Sequence, residues 1–407
     1  MSSASVGLAD KPAHVPQNLV RDWDFGDPAE STGGPMAVVR HLRQMPDVFW
    51  TPRNGGHWVV TRAADIEYVQ KHADPFSMRS ISLPDEGRPR VLPIEMDPPE
   101  HTKYRTLINS FFTPRAIKEI QADARKLAIE LIEGIKHRGE CEFVAEFSLE
   151  LPITIFLRMV NQPMADKAWL RETAEASIRP TRPGAKLEAH LAMGQYLRKV
   201  IADRRANPGT DLLSAMVWAE VDGAPLPEDH LVGLLTTLMF GGLDTVAAAL
   251  GFAAQWLAEH PDDRRQLIDQ PELIPNAVDE LLRLASPTST ARIITRDCEL
   301  DGVDLKQGDR LYVRTILHAL DADKFERPLE ADWRRPALDR NMATFGNGPH
   351  RCPGATLARS EVRIFLEEWL ARIPDFDIAP GRAPVFGYGM VTAILELPLV
   401  WDPAQVR

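Results

Sequence analysis

The longest apolar run of the chain, Leu231 to Leu257, is bracketed by acids: Glu228 and Asp229 before it, Glu259, Asp262 and Asp263 after it. A run of ~20 such residues is long enough to span a bilayer. No Lys or Arg anchors it closely before Arg264, and its middle holds Gly241, Gly242, Asp244 and Thr245. An ionisable side chain at a bilayer centre is costly, so the run predicts a long helix through the core of a protein. A second helical stretch, rich in Leu, Ala, Glu and Arg, runs from Ala355 to Ile373. In Glu280-Leu281-Leu282-Arg283 an acid and a base three apart share one helix face and can pair. Spacing of four puts His101 and Arg105 on one face of a helix entered through Pro98 and Pro99. Trp58 to Val60, Cys298 to Arg314 with Asp301-Gly302 as a turn, and Gly387 to Val400 read as strands.

These patterns join into one mostly helical domain over residues 1–407, with small β-sheets. No Gly/Ser linker, repeat or low-complexity run divides it, and 44% hydrophobic residues suffice for a large core. Residues 1–20 carry Pro, Asp, Lys and His without an apolar centre, so a flexible N-terminal segment is expected, with no signal peptide or membrane anchor. A net charge of −11 argues against a nucleic-acid partner. Three cysteines, Cys141, Cys298 and Cys352, are too few for a disulfide framework and fit the cytoplasm.

The densest chemistry lies in Phe345-Gly346-Asn347-Gly348-Pro349-His350-Arg351-Cys352-Pro353-Gly354. Pro353 suits the first position of a helix, which sets Cys352 at the positive end of the helix dipole and favours a thiolate. Phe345 is placed to cover that sulfur. A thiolate among backbone N–H groups suits haem iron, to which it pushes electron density that favours O–O cleavage. Zinc is excluded, because only His350 lies near Cys352 at ligand spacing. In the central run, glycines destabilise a helix by ~1 kcal/mol each relative to Ala and mark a close approach or distortion. Thr245 can bond back to the carbonyl of Gly241 and loosen the backbone there. Reduction of O₂ consumes two protons, and a hydroxyl backed by a carboxylate can deliver them.

Phe345, Gly348, His350, Cys352 and Gly354 fill the pattern Phe-x-x-Gly-x-His/Arg-x-Cys-x-Gly, and the chain thereby resembles the cytochrome P450 family. Gly241-Gly242-Leu243-Asp244-Thr245 resembles its oxygen-activation motif. From about Asp47 onward the likeness is to the soluble bacterial class that includes camphor hydroxylase. The resemblance implies a triangular helical prism around a long central helix, holding haem b (iron protoporphyrin IX) with Cys352 as the metal ligand. It implies Thr245 and Asp244 as the catalytic hydroxyl and proton-relay acid. His101, Arg105, Arg292 and His350 follow as donors to the haem propionates, which call for Arg or His. Glu280 and Arg283 match the family's buried structural pair, and a looser likeness at Phe325 to Pro328 and Trp333 to Pro336 leaves its third partner unassigned. Thr237, Phe240, Thr288, Met390 and Val391 line the substrate pocket by resemblance, with Ile81 to Leu92 as an aliphatic wall and Ser177 to Leu187 beside it. Arg179 and Arg182 in that stretch read as solvated loop residues.

The activity implied is insertion of one atom of O₂ into a small hydrophobic substrate, terpenoid or norisoprenoid in kind. Electrons are expected from a separate [2Fe–2S] ferredoxin and its NAD(P)H-dependent reductase, and the protein itself is expected to be a monomer. From Arg334 to Arg363, six arginines stand against Asp339 and Glu361, a net charge of +4 that would steer an acidic ferredoxin. A haem-thiolate sensor or electron carrier, and a peroxide-driven enzyme, are the alternatives. The Asp244–Thr245 pair weighs against both.

Overall fold

The central apolar run forms two consecutive helices broken at one residue. The computed structural model describes residues 8–26 and 34–407. The helices that build the site are, in chain order, α1 (Ala63–Lys71), α2 (Glu100–Asn109), α3 (Pro114–Ile135), α4 (Glu150–Met159), α5 (Lys167–Ile178), α6 (Ala185–Ala206), α7 (Glu228–Leu243), α8 (Thr245–Glu259), α9 (Ile274–Ala285) and α10 (Ala355–Arg372). The long helix expected from the sequence is thus α7 and α8, parted at Asp244, whose φ of −132° and ψ of −40° leave the helical region. Two glycines and a back-bonding Thr around one acid supply the reason. Taken together, Glu228–Glu259 has the length and hydropathy of a membrane span, but two thirds of its most apolar window is buried within the protein. Apolar on every side, it serves as a core element: α7 packs on α4, α5 and α6, and α8 on α9, α10 and the strand Ala393–Glu396.

Five strands form the main sheet: β1 (Val48–Thr51), β2 (His57–Val60), β3 (Phe76–Ser77), β4 (Ser289–Ile294) and β5 (Arg310–Arg314), in the order β1-β2-β5-β4-β3. Only the β2–β5 pair is parallel. Asp301 and Gly302, with φ of 49° and 73°, form the hairpin turn between Cys298–Leu300 and Val303–Leu305 that the sequence predicts. One apolar cluster packs around the sheet with Trp23, Phe49 and Trp58; another centres on Phe143, Phe147, Phe365 and Trp369, beneath α8 and α10.

The expected flexible lead is ordered where it is described. Val15 is 1% exposed against the sheet, Ala9 N donates to Pro52 O at 2.9 Å, and Lys11 Nζ donates to Val15 O at 2.6 Å. Burial of Val15 and Trp23 holds residues 8–20 down. Residues 1–7 lie outside the described residues.

Candidate active site

Two glycines shape the loop that carries Cys352. Gly346 and Gly348 have φ of 72° and 68°, a region that side chains disfavour. A Cβ on Gly348 would stand 2.8 Å from the Gln70 carbonyl oxygen, on α1. Beside it, Asn347 Nδ2 donates to Gln70 Oε1 at 3.0 Å. Cys352 N donates to Phe345 O at 2.8 Å and closes the loop. The half-buried Phe345 ring has the Arg359 guanidinium 4.7 Å over its centroid. Helix α10 starts at Ala355 with Gly354 as its cap, so Pro353 stands one residue before the cap instead of at the first helical position. The N–H groups of Gly354 and Ala355 are thereby left to turn toward the sulfur. Burial raises the Cys352 thiol pKa, while those two N–H groups and the charges of Arg105 and Arg351 pull it back. The residue is thus desolvated by its surroundings yet still exposed.

Four basic groups gather, and among the described residues none forms an ion pair with an acid. The rings of His101 and His350 lie 4.1 Å apart, and all four of their nitrogens are buried without a hydrogen-bond partner. Arg292, on β4, is 4% exposed and donates only to neutral oxygens, Thr290 Oγ1 and the Ala291 carbonyl, each at 2.8 Å. Burial lowers its pKa to about 10. Burial also lowers His350 to about 3, with the charges of His101, Arg292 and Arg105 adding to the effect. His101 falls to about 4 through burial and Arg105, opposed by Asp97. Arg105 completes the group, donating to Asn109 Oδ1 at 2.8 Å and to the Arg351 carbonyl. Buried donors of this kind call for an anion. On α7, Gly241 is exposed although Phe240 and Leu243 are buried, and a Cβ on it would meet no atom within 4 Å. A soft thiolate donor, orphaned basic groups for two carboxylates and a helix stretch bare of side chains together fit haem.

The comparisons with known proteins agree. The family model described as "Cytochrome P450" matches residues 180–384. The "Probable cytochrome P450 127A1" of Sinorhizobium fredii is 33% identical, covering 96% of this chain and 96% of that protein. "Nocardicin C N-oxygenase" of Nocardia uniformis is 31% identical over 94% of this chain and 98% of its own. The crystal structure of CYP101J2 superposes with a TM-score of 0.88 at 36% identity, covering 97% of this chain and 100% of that one. CYP101C1 gives 0.88 at 35%, with the same coverage. The chain belongs to the cytochrome P450 family. Its cofactor is haem b, and it is a monooxygenase that binds O₂ and an organic substrate and takes electrons from redox partners.

On the oxygen side of this P450, Thr245 Oγ1 donates to Gly241 O at 3.1 Å, the back-bond that the sequence predicts. Asp244 is buried and ion-paired. Arg179, expected as a solvated loop residue, is 7% exposed, and its Nη1 donates to Asp244 Oδ2 at 3.0 Å and to Val391 O at 3.0 Å. A second guanidinium N–H reaches Asp244 Oδ1, and Nε reaches Glu175 Oε1 at 2.7 Å. Burial alone would lower the Arg179 pKa, but Asp244 and Glu175 overcome it and hold it above the ordinary value. Glu175, four residues earlier on α5, is the local sign of this pairing; Asp244, 65 residues on, has none. Arg182 is exposed and bonded to Glu188, as expected.

The pocket residues fall into two groups. Thr288 bridges Val391, Ser289 N donates to Met390 O at 2.8 Å, and Val391 packs with Ile178 and Ala248. Thr237 and Phe240 project from α7, where Phe240 meets the edge of His190, whose Nε2 is 2.9 Å from Ser177 Oγ. The Ile81 to Leu92 wall is less aliphatic than expected, because it includes a buried ion pair from Arg88 Nη2 to Glu95 Oε1 at 2.7 Å. A cleft of about 710 Å³ is lined by Met390 and Arg179 but not by Thr237, Phe240, Thr288 or Val391.

Glu280 and Arg283 are both fully buried and bonded at 2.7 and 2.8 Å. Arg335 Nε, 3.1 Å from Glu280 Oε1, is the third partner, and the Phe325 ring lies under both guanidinium groups. Arg335 is therefore a core residue and leaves the basic face counted from the sequence. Arg359 and Arg363 are paired with Asp279 and Glu367.

Proposed function

We propose that this P450 is a monomeric, cytoplasmic, ferredoxin-dependent monooxygenase that oxygenates a small, mainly apolar molecule of terpenoid or norisoprenoid kind. The helix break at Asp244, with an acid and a hydroxyl beside an exposed glycine, is the observation that carries this reading. Thiolate-ligated haem supplies O₂ activation and O–O cleavage. Thr245 Oγ1 donates to Gly241 O, which fixes the rotamer and leaves the hydroxyl oxygen free to accept from water. Asp244 supplies the carboxylate oxygens that take a proton from the interior side and return it toward Thr245. Arg179 holds that carboxylate in place. Apolar contacts from Val391, Met390, Ile81 and Val91 orient the substrate and exclude bulk water.

Exposed Arg334, Arg340 and Arg351 remain in the basic run after Arg335 is removed from the count, which supports an acidic ferredoxin as donor. The reduced protein should show, with carbon monoxide, the long-wavelength Soret band of thiolate ligation, and Cys352→Ser should lose it. Absence of the band from the unmodified protein sinks the reading at its first step. Turnover of a terpenoid panel with a [2Fe–2S] ferredoxin and its reductase, against hydrogen peroxide alone, tests the donor.

A further inference from the structure

Two ionisable side chains lining the 710 Å³ cleft form no ion pair among the described residues. The cleft runs between the segment Ile81 to Glu86, the corner joining α5 to α6, and the hairpin of Val385–Gly387 with Ala393–Glu396. Most of its charged groups are engaged: Arg179 by Asp244 and Glu175, Arg182 by Glu188, and Asp24 by the Gly26 N–H and the Asn54 amide. Lys186, in the first turn of α6, is different. It lines the cleft, is 4% exposed, and forms no hydrogen bond or ion pair among the described residues. Glu86 lines the opposite wall, and its Oε2 is buried without a hydrogen-bond partner. Glu86 exerts the strongest attraction on the Lys186 ammonium, yet no ion pair joins the two.

Burying an unpaired ammonium is costly, and a half-buried Glu86 held out of contact offsets only part of that cost. A hydrocarbon in the cleft would leave both groups orphaned. A carboxylate would satisfy Lys186 and be repelled by Glu86; an amine would do the converse. A hydroxyl accepts from one and donates to the other. We propose that Lys186 and Glu86 clamp the hydroxyl of an otherwise apolar alcohol, Lys186 Nζ donating to its oxygen and the hydroxyl donating to Glu86 Oε2. The P450 would then act on a molecule already oxygenated at one end, at a carbon remote from that hydroxyl. Its substrate would come from a reaction that installs or unmasks an alcohol. This deepens the proposed function and rests on it.

The test is calorimetric titration of the haem-loaded protein with a panel of C10 and C13 alcohols, acyclic and cyclic, each beside its methyl ether and the matching carboxylate. For at least one skeleton the alcohol should bind ten times more tightly than either analogue. Lys186→Met should weaken the alcohol and the ether alike, at least fivefold, and Lys186→Arg should restore much of the loss. Glu86→Leu should weaken the alcohol and leave the ether unchanged. Lys186→Met should melt no lower than the parent, since it removes an unanswered buried charge. Equal affinities for alcohol and ether, no binding by any alcohol of the panel, or equal slowing of every ligand's association in both variants, as a latch between the two side chains would give, overturns the clamp. Carbon monoxide spectra of the same preparations report independently on the haem-thiolate reading.

Discussion

Arg179 Nη1 stands 3.0 Å from Asp244 Oδ2, and both side chains are almost wholly buried. The guanidinium also binds Glu175 and the Val391 carbonyl, so one side chain ties the end of α5, the helix break and the C-terminal hairpin region together. Removing it strands a carboxylate in the core. Arg179→Met should cost about 3–5 kcal/mol, read as a lower urea midpoint. The double variant with Asp244→Asn should recover part of that loss, because the charge left on Glu175 is exposed to solvent and no buried charge remains unpaired.

Proton delivery gives a second expectation. Asp244→Asn keeps shape but cannot relay a proton, and turnover should fall about 100-fold. Thr245→Ala removes the hydroxyl, and product formed per O₂ consumed should drop. Both variants should keep the carbon monoxide band of the reduced protein. An unchanged product yield in both would remove these residues from the chemistry.

Neighbouring glycines should respond in opposite ways. A Cβ on Gly242 would lie 2.4 Å from a ring carbon of Phe156, so Gly242→Ala should cost about 1–3 kcal/mol through overpacking. At Gly241 the same Cβ meets no protein atom. Gly241→Ala should keep or raise the stability of the haem-free protein, by up to about 1 kcal/mol. Its methyl group would fill space that the protein leaves open beside α7, so carbon monoxide should bind the reduced protein more weakly.

Glu361, on α10, is 2% exposed, its Oε2 has no partner, and burial raises its pKa from 4.5 to about 8. Between those values the folded protein holds a proton that the unfolded chain has released. Stability from this group is therefore complete below pH 4.5 and declines as pH rises toward 8. Glu361→Gln should flatten that decline, with a gain in melting temperature at pH 8 and little change near pH 4. Parallel curves for the two proteins would contradict the assignment.

The parts of the site legible in the sequence are those whose residues lie close along the chain. The Cys352 loop, the Gly241 to Thr245 run and the His101–Arg105 turn each carry their chemistry within ten residues. Arg292 required the family pattern, since nothing local distinguishes it from a solvated arginine. Arg179 and Arg335 were hidden for one reason: each finds its acid through space, and an arginine beside Pro180 or Pro336 reads as a surface residue. The break at Asp244 depends on the back-bond and on packing against α4, so hydropathy alone showed one helix. Lys186 and Glu86 carry no motif; only their shared place on one cleft marks them.

Gly348 seats the cysteine loop against the Gln70 carbonyl, and Asn347 grips the same residue's side chain. The loop is thus registered by a helix laid down 277 residues earlier, about two thirds of the chain's length away. During synthesis the metal ligand emerges long after its template. Capture of haem becomes a late checkpoint, passed only by molecules in which the cysteine loop has already met that early helix.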